Sequence, residues 1–152
     1  MTRPIVSVII PSYNEVENVP ILIERLVKLL SDTPHEIIVV DDNSPDGTWE
    51  VAEKMAERTP GLRVIRRLNE RGLSSAVVTG MSAAAGETLA VMDADLQHDE
   101  NVLPEMVRTL MDDGYDIAIG SRGVTGGSYG EFSKRRRFIS WVAATMARML
   151  LP

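Results

Sequence analysis

Apolar residues along this chain fall into two alternating patterns. Short, nearly unbroken apolar runs at residues 5–11, 36–40, 62–65, 88–92 and 115–120 read as strands buried in a sheet. Between them lie segments with helical spacing. Residues 16–30 carry Val19, Leu22, Ile23, Leu26, Val27 and Leu30 on one face. Residues 48–57 read as a helix opened by Asp46, Gly47 and Thr48, which supply acidic and hydroxyl capping groups. Residues 74–85 are rich in small side chains and suit a helix lying close on the sheet. Residues 101–111 place Leu103, Met106, Val107 and Leu110 on one face. Strand and helix in strict alternation predict a three-layer α/β fold with a mostly parallel sheet. There is no repeat and no linker before the glycine-rich stretch 123–130, which has the composition of a mobile loop. The expectation is a single domain over 1–152: a core over about 1–122, then a loop and a terminal helix over 123–152.

Composition narrows the class. The length of 152 residues suits one domain with a real core, and 44% hydrophobic with 25% charged residues marks a globular chain. The net charge of −6 argues against a general nucleic-acid binder. The absence of cysteine excludes disulfides, thiolate metal sites and thiol catalysis. No run reaches the roughly 20 apolar residues of a membrane span, and the first apolar run is too short for a secretory leader. The location expected from this is cytoplasmic.

Two acidic clusters carry the candidate chemistry. Asp41, Asp42, Asn43, Ser44 and Asp46 follow the second predicted strand; Asp93, Asp95 and Gln97 follow the fourth. In open α/β sheets, ligands bind beyond the carboxyl ends of the strands, so both clusters belong at one edge. Carboxylates brought together repel unless a cation neutralises them. Asp, Asn, Ser and Gly also form turns, which would account for the first cluster alone. If the backbone stays extended, Asp93, Asp95 and Gln97 point to one side and make a hard oxygen site for Mg2+ or Mn2+. Such ions keep waters and often share substrate phosphates, so a phosphorylated ligand is implied. His98 stands beside this site as a further ligand, an outer group, or neither.

At the end of the first strand, Pro11 stops the ladder on one side. Tyr13 can stack on a base or simply fill space. Ser12 and Asn14 put polar groups where the next helix begins, a place that attracts anions, although Asn14 could serve as a plain helix cap. Arg122 follows the fifth predicted strand and could grip a phosphate in two-pronged fashion. The tail carries a basic run, Lys134, Arg135, Arg136 and Arg137, leading into an apolar stretch with Trp141. That combination suits an anionic membrane surface or an ordinary terminal helix with a solvated face.

Taken together, these stretches resemble the family 2 glycosyltransferases with a GT-A fold, and among them the dolichyl- or polyprenyl-phosphate mannose synthases. The matching residues are Val8 to Glu15, Val39 to Thr48, Arg71 to Leu73, Asp93 to His98, and Gly120 to Arg122, and the likeness runs over nearly the whole chain. The resemblance implies transfer of a sugar, mannose from GDP-mannose first among the options, to a polyprenyl or dolichyl phosphate with inversion. It implies that Pro11, Tyr13, Asn14, Glu15, Val40, Asp41 and Asp42 form the nucleotide pocket, with Asp42 on the base and Asp41 supporting its loop. Asp93, Asp95 and Gln97 would hold Mg2+ or Mn2+. Asp93 and Asp95 would act at the diphosphate, Arg122 at the diphosphate or the acceptor phosphate in a catalytic role, and Ser133, Lys134 and Arg135 near the acceptor phosphate. It further implies peripheral association with the cytoplasmic face of a membrane. Domains of this family usually continue past the basic helix, so the chain reads as truncated there, with an apolar helix that a second copy could cover. Alternatives are a nucleotide-binding module without turnover, a relative that uses UDP-glucose, and a phosphoacceptor signalling domain.

Overall fold

The structure is a computed structural model that describes residues 3–121 and 145–146. The chain divides into two compact units, Met1–Ala118 and Ile119–Pro152. In the second, the described residues are 119–121 and the helical pair Thr145 and Met146.

The first unit is built on four strands: β1 (Val6–Ser12), β2 (His35–Asp41), β3 (Leu62–Arg66) and β4 (Thr88–Val91). They pair in the order β3-β2-β1-β4, and every pairing is parallel. The helices are α1 (Asn18–Leu29), α2 (Thr48–Ala56), α3 (Leu73–Ala83) and α4 (Leu103–Asp112), the last preceded by a 3-10 turn at Glu100–Val102.

β1 and β2 are the central strands, which explains why their apolar runs do not alternate with polar residues. Val6, Val8, Ile10, Ile37 and Val39 face one way, into a core with Leu22, Ile23 and Leu26 of α1, Met55 of α2 and Leu103 of α4. Ile9, Ile38 and Val40 face the other way, toward Ala76 of α3. Helices therefore cover both faces, and the expected three layers are present. Gly80 sets the distance of α3 from the sheet. A Cβ there would lie 2.4 Å from Ile9 Cγ2, so the small-residue composition of this helix reflects close approach.

At the amino ends of the strands, the buried Glu36 accepts hydrogen bonds from Ser7 Oγ (2.6 Å), the Ala85 amide (2.6 Å) and Arg63 Nη1 (3.1 Å). Burial pushes its pKa up, but these three donors outweigh burial and hold it below the ordinary glutamate value.

Parallel pairing puts every strand's carboxyl end at one edge. The chain runs from β1 outward to β2 and β3, then crosses to β4 on the other side of β1. The edge beside β1 is thus the switch point where open α/β sheets form their crevice. Pro11 leaves the β2 ladder intact, which continues through Pro11↔Val40 to Ser12↔Asp41. The β4 pairing ends at Ile9↔Val91. Ile9 O accepts from Met92 N on the β4 side and Ser12 O from Asp42 N on the β2 side. Alternation along the strand therefore turns the missing N–H of Pro11 toward β4, where the ladder has already stopped.

The expected fifth strand differs. Residues 113–121 contain no strand, and Tyr115, Ile117 and Ile119 are 62%, 75% and 83% exposed. Apolar alternation becomes a strand only where a neighbour completes the ladder, and no described strand lies on the outer side of β4.

Candidate functional site at the carboxyl edge of the sheet

The loop after β2 grips the loop after β1 through side-chain oxygens. Asp41 is fully buried; its carboxylate accepts from Ser44 N (2.8 Å), Ser44 Oγ (2.6 Å) and Ser12 Oγ (3.0 Å). Ser44 Oγ accepts from the Asn14 amide (2.9 Å), Thr48 Oγ1 from the Glu15 amide (3.0 Å) and Asp46 Oδ2 from the Val16 amide (3.1 Å). Three successive amides of the β1–α1 loop are thereby satisfied by one neighbouring loop. Burial raises the pKa of Asp46, but bonds from the Thr48 hydroxyl, the Thr48 amide and the Val16 amide outweigh it and leave the carboxyl below the ordinary aspartate value. Asn14 and Asn43 take left-handed backbone at φ 59° and 56°, a conformation Asn adopts more readily than most residues. Arg66 stacks 3.5 Å from the centroid of the Trp49 ring and donates to Asn43 Oδ1 (2.8 Å), fixing the outer side of this loop.

The capping expectations change accordingly. Asn14 does not cap α1: the cap position is Glu17, without a side-chain bond, and Asn18 Nδ2 reaches back to Glu15 Oε2 (2.7 Å). At α2 the cap position is Gly47 at φ 87°, and Asp46, one residue earlier, accepts from the Thr48 amide (3.0 Å).

A cavity of about 250 Å3 opens beside these loops. Pro11, Ser12, Tyr13 and Asp42 form one wall; Arg71, Gly72, Leu73 and Ala76, from the start of α3, form the other. Tyr13 is 44% exposed at its mouth, with the Arg71 guanidinium 5.3 Å from the ring centroid. Val40 is fully buried beside Ile9, Ile38 and Ala76, so its side chain belongs to the core beneath the cavity.

Asp41 and Asp42 point to different tasks. Asp42 forms a buried ion pair with Arg67, whose Nε donates to Asp42 Oδ1 (2.7 Å), while the Gly72 amide donates to Oδ2 (2.8 Å). A cation was expected where the two acidic clusters meet; at Asp42 the neutralising charge is instead the guanidinium of Arg67. Arg67 escaped the sequence reading. The one available signal was a pair of arginines, Arg66 and Arg67, where β3 ends, and linear periodicity cannot show that the second turns inward.

The second cluster leaves the sheet on the β4 side of β1. Its expected extended row is not formed. Ala94 and Asp95 make a turn, Leu96 has φ 57°, and Asp95 Oδ1 accepts from the Gln97 amide (3.0 Å). An Asp accepting from the amide two residues on favours this turn over an extended strand. The Asp93 side chain is 49% exposed, and its Oδ2 lies 3.2 Å from His98 Nε2. Among the described residues no group of three His, Cys, Asp or Glu side chains is arranged to hold a metal ion. Both clusters leave the sheet where β1 ends, Asp42 to one side and Asp93 and Asp95 to the other, and the 250 Å3 cavity lies on the Asp42 side. Arg122, Ser133, Lys134 and Arg135 lie outside the described residues. No described helix is long and apolar enough to cross a membrane.

The family model for glycosyl transferase family 2 matches residues 7–151. The chain is 48% identical over 147 residues to a dolichol-phosphate mannosyltransferase of Pyrococcus furiosus, covering 97% of this chain and 41% of that protein. It is 41% identical to the dolichol-phosphate mannosyltransferase of Saccharomyces cerevisiae (95% of this chain, 55% of the relative). It is 36% identical to an undecaprenyl-phosphate mannosyltransferase of Micrococcus luteus (96% and 60%). Among solved structures, a mannosyltransferase from Pyrobaculum calidifontis in complex with GDP-Man and Mn2+ superposes with a TM-score of 0.63 at 32% identity, covering 74% of this chain and 34% of that one. The chain thus spans between about two fifths and three fifths of the length of these curated relatives.

Proposed function

This chain belongs to glycosyl transferase family 2, and on that footing we propose that it binds a nucleotide-sugar donor, GDP-mannose foremost, for transfer of the sugar to a polyprenyl or dolichyl phosphate. One observation carries the reading. A cavity fit for a base and an acidic turn flank the same strand end, one on each side of β1. The likeness to mannosyltransferases that act on polyprenyl phosphates, and to a structure holding GDP-Man and Mn2+, supports the choice of donor and acceptor class.

In this reading Tyr13 and Leu73 flank the base and Asp42 accepts a hydrogen bond from its edge. Pro11, Asn14 and Glu15 shape the nucleoside side of the pocket, and Asp41 keeps the loop beneath it in place. Asp93 and Asp95 fit a divalent ion. They are hard oxygen donors, Asp93 is half exposed, and Asp95 has an oxygen that the turn does not use. Such an ion usually binds through one or two carboxylates and takes its remaining ligands from water and a diphosphate. Gln97 is kept as a third oxygen donor on the resemblance alone. Bound there, Mg2+ or Mn2+ would offset charge gathering on the departing diphosphate. The acceptor phosphate is already ionised near neutral pH. Its oxygen attacks the sugar carbon from the face opposite the diphosphate, so the carbon inverts and no strong general base is needed. On the resemblance, Arg122 is assigned to the diphosphate or the acceptor phosphate, and Ser133, Lys134 and Arg135 to the acceptor phosphate at a membrane surface. The family assignment removes the phosphoacceptor signalling alternative.

The test separates binding from turnover. Melting temperature is measured with GDP, GDP-mannose, UDP and UDP-glucose, with and without Mn2+ or Mg2+. Transfer of labelled mannose to a short polyprenyl phosphate is measured in parallel. GDP-mannose should raise the melting temperature most, and more with metal. Binding without transfer by the folded chain would reduce the reading to a donor-binding module. No response to any nucleotide would overturn it.

A further inference from the structure

We propose that Arg67 is a positioning residue that aims Asp42 at the base and so sets the chain's choice of nucleotide. This inference rests on the nucleotide-sugar reading above. Arg67 is 6% exposed and starts one residue beyond β3, where its amide donates to Asp41 O (2.8 Å). All three nitrogens of its guanidinium are engaged. Nε donates to Asp42 Oδ1 (2.7 Å), and Nη2 faces the same oxygen and donates to Gly72 O (3.1 Å). Nη1 donates to Ser75 Oγ (2.9 Å) and Glu70 Oε2 (3.2 Å). One planar group thus joins the wall carrying Asp42 to the wall formed by the first turn of α3.

The consequence falls on Asp42. Each carboxylate oxygen can accept about two hydrogen bonds. Oδ1 faces two nitrogens of Arg67 and is saturated. Oδ2 accepts only the Gly72 amide among the described residues, which leaves one acceptor site beside the cavity wall. The fork therefore selects which oxygen can read a base and prevents the carboxylate from rotating. A lysine cannot do this, because an ammonium is a compact charge without the fixed fork. Gly72, whose amide completes the arrangement, sits at φ 124°, backbone that other residues rarely adopt.

The experiment is a set of Kd measurements for GDP, UDP and inorganic pyrophosphate, each with Mn2+, on wild type, Arg67→Lys, and the pair Arg67→Met with Asp42→Asn. The paired variant leaves no uncompensated buried charge, so it guards against simple misfolding. Circular dichroism checks the fold. Guanine turns adjacent N1–H and N2–H donors to a carboxylate, whereas uracil's one N3–H lies between two carbonyl oxygens that repel it. Loss of the aimed contact should therefore shrink the GDP-to-UDP preference about tenfold, while pyrophosphate affinity stays put. A merely structural role would weaken all three ligands together and leave the ratio alone. An unchanged ratio in either folded variant overturns the proposal. A wild type that binds no nucleotide overturns the reading it rests on, an outcome visible before any variant is made.

Discussion

Replacing Gly80 by alanine tests the close fit of α3 on the sheet, and through it one wall of the cavity. Two effects oppose each other. Alanine in a helix interior is favoured over glycine by about 1 kcal/mol. Against this, the new Cβ would stand 2.4 Å from Ile9 Cγ2, 3.1 Å from Val40 Cγ2 and 3.2 Å from Ile9 Cγ1. Carbon atoms in contact rest about 3.5–4.0 Å apart, so the overlap with Cγ2 is on the order of an ångström. Ile9 cannot yield. It is fully buried in a central strand, and a β-branched side chain has little rotamer freedom. The helix must lift instead. Overpacking of this kind costs about 1–3 kcal/mol, so after the alanine gain a net loss of roughly 1 kcal/mol, and at most about 2, is expected. Urea unfolding followed by circular dichroism reads it as a lower midpoint at unchanged slope. The mechanism is isolated by repeating Gly80→Ala in an Ile9→Ala background, which removes both γ carbons. There the same change should be neutral or stabilising. Because α3 carries Leu73 and Ala76 of the cavity wall, GDP affinity should fall in the single variant and recover in the double. Equal cost in both backgrounds, or a wild-type-background variant as stable as its parent, would refute the reasoning.

Glu36 has its pKa held below the ordinary 4.5, so its stabilisation is present above that value and lost as pH falls through the lower folded value. Glu36→Gln should be less stable than wild type at neutral pH, with the gap closing under acid in pH-dependent urea unfolding; a gap that widens in acid contradicts the sign. Asp95→Ala, at a partly buried turn, should lower the melting temperature of the unliganded protein by no more than about 3 °C while abolishing the extra shift that Mn2+ gives GDP. Retention of that extra shift removes Asp95 from the metal site. Binding to anionic vesicles through Lys134, Arg135, Arg136 and Arg137 should weaken steeply between low and physiological salt, and indifference to salt would refute an electrostatic surface.

The central strands were legible because β1 and β2 are buried on both faces, so their runs stay apolar apart from Ser7 and the strand ends. The small-residue run of α3 was legible for the same kind of reason, since Gly80 and Ala76 mark where helix and sheet touch. Residues 115–120 misled because alternation reports a preference for a half-buried ladder and says nothing of whether a partner strand is there. The site divides along a similar line. Its acidic residues could be placed at the sheet edge from strand order alone. Their individual roles could not, because adjacent side chains at a strand end point opposite ways: Asp41 turns inward to Ser12 and Ser44, and Asp42 turns to Arg67, 25 positions along the chain. Asp93, Asp95 and Gln97 failed as an extended row for a local reason, since an Asp carboxylate competes for the amide two residues ahead.

The most direct measurement is a crystal structure of this chain with GDP and Mn2+. The guanine should lie between Tyr13 and Leu73 with its edge on Asp42 Oδ2, the diphosphate across the end of β1, and the ion on Asp93 and Asp95. Guanine seated away from that cavity, or a diphosphate turned away from the acidic turn, would contradict this placement.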